Sequence, residues 1–370
     1  MNLSFWEKNE WFSGVDFTVV GSGIVGLNTA ITLRKKYPKS KILVVERGVL
    51  PHGASTKNAG FACFGSLSEI LSDLNSHTED EVLQLIEKRW KGLHLLKQNL
   101  GQDAIDYQQH GSFELFSNTN SLLEDCSDKL NQVNKMLTPI FNNDVFSVSD
   151  NIFGFQNVKE QYIFNRYEGQ IDTGKMMSSL LKLAYASDIK IINNTKVHSF
   201  LEQAECVDVL LEGGFSFKTN KLLIATNGFA KHLISEVVQP ARAQVLITKP
   251  IKDLHIKGTF HFDEGYYYFR NINDRILFGG GRNLDFKGEE TTEMKTSDLI
   301  QKQLEFHLEN TILPNTPFEI DHRWTGVMGV GNQKKAIVKQ LSENVYCGVR
   351  LGGMGVAIGS LIGEELGNLL

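Results

Sequence analysis

The sequence predicts an α/β chain of two interleaved domains: a Rossmann-type domain on a parallel sheet, and an α+β domain on a large mixed or antiparallel sheet. Three observations carry this. A β-branched apolar run over 15–20 stops at Gly21, helical periodicity follows from Ile24 to Lys36, and a second apolar run covers 42–45. That strand–turn–helix–strand unit spans about 30 residues, the size of a βαβ crossover. The block 244–282 is rich in β-formers, with Asn271 to Asp274 as the turn of a hairpin. The chain then returns to a strand at 345–349 and a helix at 355–366. At 370 residues it exceeds one ordinary core.

The remaining elements follow in order. Tyr37-Pro38 stops the first helix. Residues 51–65 are small and turn-forming. Helical spacing of Leu83, Ile86, Trp90 and Leu93 predicts helix within 69–100. A strand is expected over 109–116, a helix over 122–137, and a helix over 172–187 capped by Asp172 or Thr173. Short strands are expected at 190–192, 196–201, 206–211, 215–219 and 221–225, and a helix at 299–311. Strand–helix units of the first kind stand at the start, middle and end. One domain is therefore expected to comprise 1–85, 150–228 and 324–370, and the other 86–149 and 229–323.

Composition narrows the function classes. Hydrophobic residues make up 41% and charged residues 22%, with a formal net charge of −5, which is the balance of a globular chain. The acidic balance speaks against a broad nucleic-acid surface. The most apolar stretch, 349–363, carries Arg350 and is too short to span a bilayer. Residues 1–9 lack the basic start and apolar run of a signal peptide. The cysteines at 63, 126, 206 and 347 form no CxxC pair, so neither a disulfide framework nor a metal site is expected. A cytoplasmic location follows as the default.

The turn after the first strand reads Gly21-Ser22-Gly23-Ile24-Val25-Gly26. In such a fingerprint the first glycine makes the tight turn, the second lets the backbone approach a pyrophosphate, and the third lets helix and strand pack closely. The pyrophosphate rests on the free N–H groups and positive dipole end of the helix. Glu46 stands 20 residues beyond Gly26, at the end of the second strand. A carboxylate there suits ribose hydroxyls and repels a 2′-phosphate. The fingerprint predicts a dinucleotide site without choosing between FAD and NAD.

Later segments make that choice. After Glu46-Arg47 comes Gly53-Ala54-Ser55-Thr56-Lys57-Asn58-Ala59-Gly60. Further on stand Glu168-Gly169-Gln170-Ile171-Asp172, Thr195-Lys196-Val197, the run 221–228 ending in Ala225-Thr226-Asn227-Gly228, Trp324-Thr325-Gly326, and Gly352-Gly353-Met354-Gly355-Val356. In position and order this set resembles the D-amino-acid oxidase-like FAD oxidoreductases, among them glycine, sarcosine and γ-glutamylputrescine oxidases. The resemblance implies that the first domain binds FAD and the second binds substrate. It implies that Ala54 to Thr56, Asn58 to Gly60, Trp324 and Gly326 lie beside the cofactor. The backbone at Val197 meets adenine, and Gly352 to Val356 hold the flavin ring. No cysteine follows Trp324, so the FAD is expected to be noncovalent. Val327-Met328 and Gly353 occupy positions where relatives carry arginines, and Leu277 occupies that of an oxygen-activating lysine. The electron acceptor is thus left open.

The implied reaction is oxidation of a C–N bond in a small amine or amino acid, by hydride transfer to flavin N5. Alternation on the strand 266–270 puts Tyr266, Tyr268 and Arg270 on one face as substrate-side candidates; a half-buried sheet explains the same pattern. Arg350 is a further candidate. Two other readings stay open: dehydrogenation of a 2-hydroxy acid or glycerol phosphate, and a protein that holds FAD without turnover.

Overall fold

The computed structural model describes residues 2–119 and 121–370. Met1, the start of the first expected domain, lies outside them. Two eight-stranded sheets organise the chain. The first runs Ile337–Gln340, Val345–Val349, Ser216–Ile224, Val15–Val20, Ile42–Val45, Lys190–Ile192, and an antiparallel ribbon of Val207–Leu211 and Val197–Glu202 extends from Ser216–Ile224. Val15–Val20 lies parallel to both its neighbours. Helices or loops cover both faces, which is why Val19, Leu43, Val44, Leu222 and Leu223 are all fully buried and their strands read as continuous apolar runs.

The second sheet runs Ile320–Val330, Gln239–Thr248, Arg275–Gly280, Tyr267–Ile272, Thr259–Phe262, Ser112–Leu115, Gln161–Asn165, Phe146–Asp150. It is antiparallel except where Thr259–Phe262 meets Ser112–Leu115. One face packs a phenylalanine cluster, with Phe260 and Phe269 stacked at 4.7 Å, against the helix Asp298–His307. Gln161–Asn165 joins this sheet, beyond the boundary at 150 read from sequence, and Ile320–Val330 runs across the one at 324.

Local chemistry sets the helix ends. Ser66 and Thr78 each form a capping box, with Glu69 and Glu81, so the helical stretch expected over 69–100 divides into Leu67–Leu74 and Glu79–Leu100. Asp172 caps Thr173–Ala186 by accepting from the Lys175 N–H at 2.8 Å.

The helices Ile24–Lys36 and Gly355–Asn368 pack tightly along Gly359, Gly363 and Gly367. A Cβ at Gly363 would sit 2.6 Å from the Val25 carbonyl oxygen. The apolar stretch read at 349–363 is thus a strand end, a glycine loop and half of this packed helix. Its small residues bring the two helix N-termini to one place. Among the described residues no helix is long and apolar enough to cross a membrane.

Candidate active site

A cleft of about 640 Å³ opens between the two sheets. Its first end is built by the fingerprint. Gly21 takes φ +103°, and a Cβ there would meet the Ala225 carbonyl oxygen at 2.9 Å. A Cβ at Gly26 would lie 1.9 Å from the Gly21 carbonyl oxygen. Gly21, Gly23, Ile24 and Val25 line the cleft. The Ile24 N–H donates to Ser55 Oγ at 2.9 Å, tying the helix start to the one-turn helix Ala54–Lys57.

Glu46 lines the cleft and is also a brace. Its Oε2 accepts from the N–H and hydroxyl of Ser22 at 3.0 and 2.9 Å, and its Oε1 accepts from the Gly48 N–H at 2.9 Å. Arg47 stacks over the Phe229 ring at 3.5 Å. Ala54, Ser55, Asn58, Ala59, Val197, Ala225, Thr226 and Gly326 reach the cleft wall, as do Gly352, Gly353, Met354, Gly355 and Val356. The expected residues Ser22, Gly26, Thr56, Gly60, Gly228 and Trp324 stand behind that wall. Thr56 Oγ1 donates to the Pro51 carbonyl at 2.7 Å, and Trp324 Nε1 to the Lys57 carbonyl at 3.0 Å.

Two expected substrate residues are corrected. Arg270 is 4% exposed, and its guanidinium donates to the carbonyls of Ala59 and Ile171, the latter at 2.9 Å. Its donors brace the turn at Gly60 and face away from the cleft. Arg350 donates to the Lys335 and Val237 carbonyls at 3.0 and 3.3 Å, clamping loops together outside the cleft. Tyr266 and Tyr268 do line the cleft, while Tyr267 and Phe269 enter the core.

One row across the sheet underlies the second end: Glu114, His261, Tyr268, Gly279, Val245, Trp324, each opposite the next in register, of which His261, Tyr268 and Val245 line the cleft. A Cβ at Gly279 would sit 2.7 Å from the Tyr268 ring, so glycine lets that ring lie across the strand. Phe61 meets Tyr268 edge-on at 5.7 Å. In the adjoining row Ala243 pairs with Gly326, and both small residues leave room above them.

Several cleft residues escaped the sequence reading. Arg282 follows Gly279-Gly280-Gly281 and stacks over Phe286 at 4.8 Å. Glycines ending a strand before an arginine were its only signal. Lys334 pairs with Asp73 at 2.7 Å across the cleft mouth. In the sequence Glu168 stands only as the start of a helix-opening segment. It is 1% exposed, lines the cleft, and accepts from the N–H groups of Phe64 and Gly65 at 2.7 and 3.0 Å.

Burial pushes the Glu168 carboxyl up to about 7 against the pull of those two N–H groups. The ordinary value is 4.5, so this site costs nothing below pH 4.5, and stability is lost as pH rises through about 7. Glu168→Gln keeps an acceptor for both N–H groups. It is expected to match the parent at pH 5 and to exceed it at pH 8 by on the order of a few kcal/mol in urea unfolding. A difference independent of pH contradicts this.

Residues 16–369 match the sequence profile of the FAD dependent oxidoreductase family, DAO. The chain belongs to this family. It is an FAD-dependent oxidoreductase. Solved structures with a similar fold include L-proline dehydrogenase from P. horikoshii, at 17% identity and TM-score 0.74, covering 96% of this chain and 92% of that one. Glycine oxidase from Geobacillus kaustophilus aligns at 16% identity and TM-score 0.72, covering 94% and 92%. Iminodiacetate oxidase from Chelativorans sp. BNC1 aligns at 16% and 0.73, covering 95% and 94%. No match was found among curated proteins. The first end of the cleft fits FAD on its own geometry. Glycines line it, two helix N-termini open on it, and the buried Thr226 hydroxyl has no partner among the described residues.

Proposed function

We propose that this enzyme oxidises the C–N bond of an amino acid or related amine to an imine. The observation that supports it most is the juxtaposition within one cleft of a glycine-walled nucleotide end and a floor running from Val245 through Tyr268 to His261. Proline, glycine and iminodiacetate, after which the enzymes of the three similar structures are named, each carry an amine α to a carboxylate.

In this reading Gly21, Gly23 and the Val25 N–H would hold the pyrophosphate. Glu46 would meet the ribose, and the backbone at Val197 the adenine. Ala54 to Ala59 and Gly352 to Val356 would hold the flavin ring. Thr325 follows Trp324, so no thiol there tethers the ring. FAD, when bound, supplies the acceptor for a hydride and stores two electrons. Oxidation to the imine removes a hydride from the α carbon and a proton from the nitrogen, whose lone pair forms the C=N bond.

The chain positions the substrate and shields it from water. Arg282 is assigned to the substrate carboxylate: among the described residues it reaches the cleft stacked on Phe286 with no ion pair, which leaves its planar donors for a bidentate contact. The helix start at Gly355 would offset negative charge gathering on the flavin. The cytoplasm is the proposed compartment, in keeping with four free cysteines.

Incubating the FAD-loaded protein with amino acids, amines, 2-hydroxy acids and an artificial electron acceptor tests the reaction. Mass spectrometry is expected to find carbonyl or cyclic imine products from amino acids. Carbonyl products from hydroxy acids alone would overturn the proposal.

A further inference from the structure

The row beneath the cleft ends in a polar cluster that holding FAD does not require. His261 is 9% exposed, lines the cleft, and leaves Nε2 buried with no hydrogen-bond partner among the described residues. On one side it stands opposite Tyr268, on the other opposite Glu114. Glu114 is 2% exposed and is itself held: the Ser68 N–H donates to its Oε2 at 3.2 Å and the Ser68 hydroxyl to its Oε1. Ser68 lies in the first turn of the helix Leu67–Leu74, whose cap residue Ser66 also lines the cleft. A buried carboxylate fixed by two donors beside an imidazole with spare capacity is costly unless that capacity is used. A core position with no further role would take an apolar residue, as Phe260 does on the same strand.

We propose that His261 contacts the substrate and sets specificity, pairing with a polar group on the substrate side chain. The cleft then prefers amino acids with hydrogen-bonding side chains over aliphatic ones of the same shape. Glu114 is a positioning residue, and Ser68 holds it. The inference rests on the amino-acid reading above. Its physical basis is an asymmetry in recognition. An apolar pocket rejects an added polar group weakly, whereas a site built with a buried polar group rejects an isostere that leaves it unpaired.

The test uses two acids without an amine, which cannot be oxidised at a C–N bond: succinamate and 4-methylpentanoate. They have the carbon frames and similar shapes of asparagine and leucine, and differ in the amide. Each is titrated into the FAD-loaded protein, with binding read from the shift of the flavin absorption bands and by calorimetry. Succinamate is expected to bind about tenfold or more tighter. In His261→Leu that ratio is expected to fall to within about threefold, and His261→Gln, which keeps a donor and an acceptor, is expected to recover part of it. His261→Gln also serves as the reporting variant if the leucine variant does not load FAD, and it is then expected to retain a reduced preference. Equal binding of the two acids by the parent protein, binding of neither, an unchanged ratio in His261→Leu, or no preference left in His261→Gln would overturn the inference. Because no turnover is required, a preference for succinamate in a protein that oxidises no amino acid would instead count against the proposed reaction.

Discussion

Replacing Gly26 with alanine is expected to yield a protein that no longer retains FAD. The added Cβ would meet the Gly21 carbonyl oxygen at 1.9 Å and Val19 Cγ1 at 3.3 Å. The first of these is backbone on the tight turn after the central strand, so no rotamer change relieves the clash. Either the helix Ile24–Lys36 lifts from the sheet or the turn at Gly21 opens. Both movements remove the N–H groups from the pyrophosphate position, and both loosen the packing against Gly355–Asn368. Overpacking of this kind costs roughly 1–3 kcal/mol where side chains can yield, and more against backbone. Flavin absorbance after gel filtration reads the outcome. A variant that elutes folded with one FAD per chain would contradict the assigned turn.

Glu289→Ala is expected to have the next largest effect, though it lies outside the nucleotide end. Glu289 is 1% exposed and accepts from Arg242 through Nε at 2.8 Å and Nη2 at 2.6 Å, and from Gln244 Nε2 at 2.9 Å. The pair pins the loop that carries Arg282 and Phe286 onto the strand Gln239–Thr248. Removing the carboxylate strands a guanidinium that is 8% exposed, a change that typically costs about 3–5 kcal/mol. The melting temperature should fall by roughly 4–6 °C. Affinity for a carboxylate ligand should fall with it, because Arg282 loses its seat. Replacing both partners together, Arg242→Met with Glu289→Leu, removes the stranded charge and should recover most of the stability. An alanine variant as stable as the parent would show that the pair does not hold the loop.

The nucleotide end of the site was legible in the sequence because its chemistry is local. Gly21, Gly23 and Gly26 owe their identity to one turn, and Glu46 to the end of the adjoining strand. The substrate end was less legible because register builds it. His261, Tyr268, Gly279 and Val245 lie on four strands and become neighbours only when those strands pair. Alternation separated Tyr268 from Tyr267 correctly and put Arg270 on the Tyr268 face. It could not reveal that Arg270 is consumed by the carbonyls of Ala59 and Ile171, distant in sequence. Arg350 misled for a related reason: it adjoins the glycine loop, but φ +65° and two carbonyl acceptors turn it outward. Arg282 carried no signal beyond the glycines before it, and the loop that presents it depends on Glu289, whose burial no local sequence pattern announces.

The central claim is that one cleft brings FAD and an amine-bearing carbon together. The most direct test is anaerobic titration of the FAD-loaded protein, following the visible absorption of the flavin. Amino acids should bleach it, and the matching 2-hydroxy acids should leave it oxidised. A flavin that dithionite reduces, but that no amino acid or amine reduces, would contradict the account.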